Sequence, residues 1–296
     1  MSAPSPSAPP HRFHAQPVDA PRAHHGEGPV WCPDEGLLRW VDMLAGDVLG
    51  LAPADGARPR LHVGEVAAAV RPRHGGGLVA AVERGFALVE PVTGAVRALP
   101  ELWSDTGVRM NEGGCDPRGR FYCGSMAYDE TPGGGALYRL DPDLGVTRVL
   151  DGVTISNGLV WTPAGDRAYY VDTPTRRIDC FAITSAGELG QRSTFAEIPA
   201  GAGNPDGLCL DAEGGVWVAL WDGAAVRRYT PSGEVDTVVE VPVPRPTACT
   251  FGGPDLTDLY ITTSAVGVDT ARWPRAGALF RVRPGARGVP TAGFAG

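Results

Sequence analysis

Short apolar runs separated by turns rich in Pro, Gly and Asp recur along the whole chain. One copy reads Ile155-Ser156-Asn157-Gly158-Leu159-Val160-Trp161, then the turn Thr162-Pro163-Ala164-Gly165-Asp166, then Ala168-Tyr169-Tyr170-Val171. Runs of this length, bounded by turn residues, read as buried strands rather than helices. The same order opens at Glu27-Gly28-Pro29-Val30-Trp31, Ala68-Ala69-Val70, Asn111-Glu112-Gly113-Gly114-Cys115, Asp206-Gly207-Leu208-Cys209-Leu210 and Thr247-Ala248-Cys249-Thr250-Phe251. The openings lie roughly 40 to 50 residues apart, the period of propeller blades. Most copies continue into an alternating third strand, such as Ala136 to Leu140 or Ala225 to Tyr229, and then an outer fourth, Thr147 to Leu150 or Val235 to Val239.

Four short antiparallel strands in each of about six units predict an all-β chain folded as a six-bladed β-propeller. A β-sandwich with irregular insertions is the competitor, but it gives no reason for a polar residue at the same point of successive repeats. Residues 13–296 are expected to form the single propeller domain, with the segment around Phe13 to Val18 pairing onto the last blade to close the ring. Residues 1–12, which open Ser/Ala/Pro-rich, are expected to form a disordered tail; no apolar segment suggests a signal peptide or membrane anchor. Innermost strands of a propeller line a central channel, so corresponding positions in different blades converge there.

Composition narrows the chemistry. The 41 Gly and 28 Pro suit many tight turns. A formal charge of −8 gives no clustered cationic face for nucleic acid. All 26 basic residues are arginine, which excludes a Schiff-base lysine and the lysine of a phosphate-binding P-loop. Six widely spaced cysteines without a CxxC pair read as reduced, mostly buried thiols of a cytoplasmic protein.

At the channel positions the chain offers Glu27, Asn111, Asn157 and Asp206. Carboxylates and amide oxygens meeting at one point form a hard-oxygen site suited to a divalent cation, which also offsets the repulsion between Glu27 and Asp206. Any one of these residues alone would pass for an ordinary turn former.

Six blocks in order carry a family resemblance: Gly26 to Trp31, Arg109-Met110-Asn111-Glu112-Gly113, Gly124-Ser125-Met126, Ile155 to Leu159, Pro205-Asp206-Gly207-Leu208 and Ala276 to Phe280. Together they resemble the gluconolactonase and regucalcin (senescence marker protein) family over nearly the whole chain. The resemblance implies a six-bladed propeller with one divalent metal ion (Ca, Zn, Mn, Mg or Fe) in the channel, on Glu27, Asn157 and Asp206. It implies substrate contacts from Arg109 and Asn111. The family's further carboxylate falls, by counting from Gly124-Ser125-Met126, on Asp129, with Glu130 next to it. Ser125 stands where Thr is usual, and Glu112 where Asp or Gly is often seen.

The expected activity is hydrolysis of a sugar lactone to its aldonic acid, with a small-molecule lactone as partner and neither nucleic acid nor membrane involved. Oligomeric state is left open. A cation can act as Lewis acid on the lactone carbonyl and lower the pKa of water. Asp206 is the candidate general base, or alternatively the group that orients a metal-activated water. Arg109, a planar fork of donors, suits sugar hydroxyls or the carbonyl side of the ring. A related propeller esterase or phosphotriesterase, or a calcium- or ligand-binding propeller without turnover, are the alternatives. His24 and His25 are expected to be solvated, and Trp31, Trp161, Trp217 and Trp221 to pack between blades, with Trp221 also able to line the mouth. No GxSxG elbow supports a serine hydrolase.

Overall fold

A computed structural model describes residues 9–296. Six sheets, five of four antiparallel strands and one with a further strand added in parallel, follow one another around the ring, with the inner three strands of each in chain order from the centre outward. The innermost strands of blades 1 to 6 are Gly26–Cys32, Ala67–Pro72, Val108–Cys115, Ser156–Trp161, Asn204–Leu210 and Pro246–Gly252. These are the runs singled out by the repeat, and the six-bladed propeller is the architecture found.

The ring closes at its rim. Gln16–Pro17 adds the outer strand to blade 6, pairing antiparallel with Phe280–Val282, inside the segment expected to do so. His11–His14, just before it, instead pairs parallel with Val235–Glu240 and makes blade 5 five-stranded. Among the described residues the first strand is thus His11–His14, two residues of which lie inside the stretch expected as a tail. Residues 1–8 of that tail lie outside the described residues. At the other end, Phe294 is fully buried and exchanges backbone hydrogen bonds with Pro72 and His74 of blade 2, while Ala295 donates to Gly119 O of blade 3. The last residues thus cross the face of the ring opposite the cup described below.

Blades are held face to face by large apolar side chains. Phe86 of blade 2 meets Phe121 of blade 3, with ring centroids 5.7 Å apart. Tyr122 of blade 3 meets Trp161 of blade 4 at 4.7 Å, and Trp217 of blade 5 meets Phe251 of blade 6 at 5.6 Å. Such tilted and edge-on pairs add to the burial of the rings themselves. Trp31, Trp161 and Trp217 are buried, as expected. All six cysteines are free thiols, four buried and two half-buried. Among the described residues no helix is long and apolar enough to cross a membrane.

One irregularity repeats in every blade. Pairing between the first and second strands slips between Glu27 and Val30, Ala67 and Ala69, Met110 and Gly113, Ser156 and Leu159, Pro205 and Leu208, and Pro246 and Cys249. A bulge breaks the strict alternation of side chains and re-aims those it contains. The polar residue and its small neighbour, recognised in the sequence as the opening of each repeat, are therefore bulge residues. Backbones crowd at this level: a Cβ on Gly207 would lie 2.3 Å from the Ala248 Cβ, and one on Gly158 2.9 Å from Asp206 O.

Candidate active site in the central channel

The bulges of blades 1, 3, 4 and 5 deliver Glu27, Asn111, Asn157 and Asp206 to one cup of about 350 Å³. Blades 2 and 6 contribute Ala68 and Thr247 at the same level, and Thr247 Oγ1 donates to Gly26 O at 2.5 Å, tying blade 6 to blade 1. His25, Trp221, Met126, Ile155 and Pro174 form walls, and Arg109 and Glu130 complete the polar side.

Two aspartates fix the chain just before the inner strands of blades 1 and 4. Asp42 accepts from the backbone N–H of His24 and His25, at 2.9 and 3.0 Å. Asp172 does the same for Thr154 and Ile155. Each is followed by a short 3-10 turn, Met43–Ala45 or Thr173–Thr175. These turns reach the site: Met43 Sδ lies 3.0 Å from an Arg109 terminal nitrogen, and Thr173 Oγ1 accepts from Asn157 Nδ2 at 2.7 Å.

Arg109, buried, donates to Asn111 Oδ1 at 2.7 Å and to Met110 O at 3.0 Å, and its guanidinium lies 5.6 Å from the Tyr128 ring centroid. Asn111 Nδ2 donates to Ser156 O at 2.8 Å and to Asn157 Oδ1 at 3.0 Å. Both amide hydrogens are therefore engaged, and Asn111 keeps one carbonyl lone pair for a ligand. Asn157 likewise keeps a lone pair on its oxygen.

Asp129 does not line the cup. Its Oδ1 accepts from the N–H and Oγ1 of Thr131, at 3.0 and 2.7 Å, in an exposed turn. Of these two neighbours it is Glu130, with a positive φ of 58°, that lines the cup. His25 is also not solvated: it is buried, with Nδ1 2.8 Å from Ser264 Oγ and its ring edge-on to Trp221 at 5.9 Å. Burial, with the Arg109 charge beside it, lowers its pKa to about 3, so it is neutral at physiological pH. His24 is exposed.

Beside Glu27 and Asp206 lies Glu112, to which the sequence pattern assigns no role. Strict alternation would turn it away from the channel that Asn111 faces, but the bulge between Met110 and Gly113 breaks that rule. The run of two polar residues before two glycines was the available signal. Ligand oxygens of Glu27, Glu112 and Asp206 all lie within 4.8 Å of one another. Burial and mutual repulsion hold the Glu27 and Asp206 carboxyls well above the ordinary range, and burial pushes Glu112 up to about 7. Glu112 Oε2 and Asp206 Oδ1 are buried without any hydrogen-bond partner. Such atoms are costly unless a cation meets them. The donors, carboxylates with amide oxygens above, are those of a hard divalent cation, so the residues present fit one.

A second cavity, also about 350 Å³, lies at the far ends of the inner strands, lined by Arg71, the Cys209–Cys249 pair and Val289–Ala292 of the C-terminal segment. It holds no carboxylate cluster and offers no comparable chemistry.

The sequence model of the SMP-30/Gluconolactonase/LRE-like region matches residues 25–265. A pentonolactonase of Haloferax volcanii is 38% identical over 273 residues, covering 90% of this chain and 92% of its own. The regucalcin of Danio rerio is 36% identical over 279 residues, covering 92% and 95%. A crystal structure of the calcium-binding protein regucalcin from Agrobacterium tumefaciens superposes with a TM-score of 0.91 at 27% identity, covering 97% of this chain and 99% of that one.

Proposed function

We propose that this chain, which belongs to the SMP-30/Gluconolactonase/LRE-like family, hydrolyses a sugar lactone to its aldonic acid with one divalent cation in the cup. The observation that carries the reading is the pair of buried, unpartnered carboxylate oxygens on Asp206 and Glu112, next to Arg109 and Asn111. The naming of the Haloferax relative as a pentonolactonase supports the substrate class.

Glu27, Asn157 and Asp206 would hold the cation. When bound, it would polarise the lactone carbonyl and make water a better nucleophile. The rest falls to side chains. Asp206 Oδ1, free of protein donors, takes a proton from the attacking water; the water oxygen bonds to the carbonyl carbon. The ring C–O bond breaks, the released oxygen takes up a proton as a hydroxyl, and the product is the open hydroxy acid. Arg109, anchored on Asn111, orients the sugar with Glu130, which replaces Asp129 in that role. Trp221 offers a flat apolar wall, its ring held between His25 and the Arg245 guanidinium, the latter 4.6 Å from its centroid. The free thiols accord with a cytoplasmic protein.

The test is a panel of aldono-lactones assayed with and without chelator. Activity lost on chelation and restored by Ca²⁺, Mn²⁺, Zn²⁺, Mg²⁺ or Fe²⁺ supports the reading. Tight cation binding without turnover on any lactone would replace it with a binding propeller, and turnover confined to other esters or phosphotriesters with a broader esterase.

A further inference from the structure

We infer that Glu112 is itself a cation ligand, making the floor of this cup a three-carboxylate site. The inference rests on the reading of the cup as a cation site and adds to it a ligand from blade 3, a blade that otherwise supplies only Arg109 and Asn111.

Geometry comes first. The Glu112 side chain is 5% exposed, and its Oε2 has no hydrogen-bond partner. One of its oxygens lies within 4.8 Å of oxygens of both Glu27 and Asp206. A single ion with oxygens at roughly 2.3–2.6 Å spans such a set. Glu112 reaches that place because residue 207 is glycine: a Cβ there would lie 2.8 Å from Glu112 Oε1.

Charge makes the same point. Among the described residues no arginine or histidine nitrogen comes within 4.0 Å of Glu112, Glu27 or Asp206. Arg71, the cation on the far side, spends its terminal nitrogens on Val70 O and Gly113 O. Three buried carboxylates therefore face one another without a cationic partner, and a cation at their centre offsets both their burial and their repulsion. A dication leaves a residual charge near −1, which Arg109 and Arg71 flank from above and below.

The experiment is calorimetric titration of the metal-stripped full chain with CaCl2 and MnCl2 at pH 8, with melting curves of the stripped and loaded forms. Glu112→Gln should weaken binding at least tenfold and raise the melting temperature of the stripped form, because one of three facing charges is gone. Glu112→Asp, which keeps the charge but withdraws it by one methylene, should fall between. Binding by a folded Glu112→Gln chain within twofold of the parent would overturn the inference, as would equal destabilisation of stripped and loaded forms, the mark of a merely structural residue. If Glu112→Gln fails to fold, parental affinity in Glu112→Asp overturns it. A parent that binds no divalent cation overturns the cup reading as well, whereas a parent that binds but hydrolyses no lactone leaves this inference standing and removes only the proposed activity.

Discussion

Asn111 Nδ2 donates to Asn157 Oδ1 across 3.0 Å, joining the bulges of blades 3 and 4 at the level where the cation is proposed to sit. The bond aims the Asn157 carbonyl into the cup and ties its position to that of Arg109, which donates to the same Asn111. Asn157→Ala should therefore weaken Ca²⁺ binding by about tenfold or more. The fold should survive, since Asn111 retains Ser156 O and the backbone pairing is untouched. Calorimetry with far-UV circular dichroism checks both halves.

Asp206→Ala should lower kcat for lactone hydrolysis by about 10²–10⁴-fold, the range for loss of a positioned general base. Asp206→Asn, which keeps the shape and an oxygen, should bind cation better than the alanine variant yet remain inactive. An active Asp206→Asn chain would move the proton acceptor elsewhere.

Glu130→Gln should raise KM for the preferred lactone while leaving cation affinity within twofold. Asp129→Asn, whose carboxylate serves only the Thr131 turn, should leave both unchanged. Steady-state kinetics on the pair distinguishes them; a KM effect from Asp129 alone would restore the residue expected from counting.

Gly207→Ala places a methyl 2.3 Å from the Ala248 Cβ and 2.8 Å from Glu112 Oε1. Overpacking of this kind costs about 1–3 kcal/mol. The variant should melt earlier and bind cation more weakly than Gly75→Ala, where a Cβ would meet nothing within 4 Å and the φ, like that of Gly207, is not positive.

Cation binding should strengthen with pH. The cup carboxyls have raised folded-state pKa values, Glu112 at about 7, through burial and, for Glu27 and Asp206, mutual repulsion. Unfolded carboxyls titrate near about 4. The protonated groups thus contribute stability to the stripped fold below about pH 4, and that contribution is lost as pH rises through about 7. The melting-temperature gain on adding Ca²⁺, which cancels the surface ion pairs common to both forms, should grow between pH 5 and 8. Proton release on binding at pH 6, read from the buffer dependence of the enthalpy, is the second check. A gain that shrinks with pH would contradict the assignment.

The blade repeat was legible because burial of a four-stranded unit leaves a strong trace: apolar runs, turn residues and a fixed period. Glu27, Asn111, Asn157 and Asp206 were legible for the same reason, being polar residues at a position where the repeat calls for contact with the channel. Glu112 was not, because alternation holds only in unbulged strands, and nothing short of the register shift reveals that two adjacent side chains share a face. Spacing put the rim carboxylate on Asp129, but adjacent residues of an exposed turn face different ways, and only the turn hydrogen bonds from Thr131 show that Asp129 is turned away from the cup. The burial of His25 depends on Ser264, 239 residues away, a relation no local pattern carries.

Glu27 stands in the first blade, flanked by the two blades that bring Ala68 and Thr247 rather than a charge. Its charged neighbours, Glu112 and Asp206, reach it from blades 3 and 5, across the axis. The first blade is also where the circle of the chain is joined, with Gln16–Pro17 completing blade 6 beside it. A cation on these residues would act as a hub, drawing the join inward while the backbone pairing holds the rim. Loading the hub should slow opening of that join more than of any other, and protease access between blades 6 and 1 would then report occupancy from outside the cup.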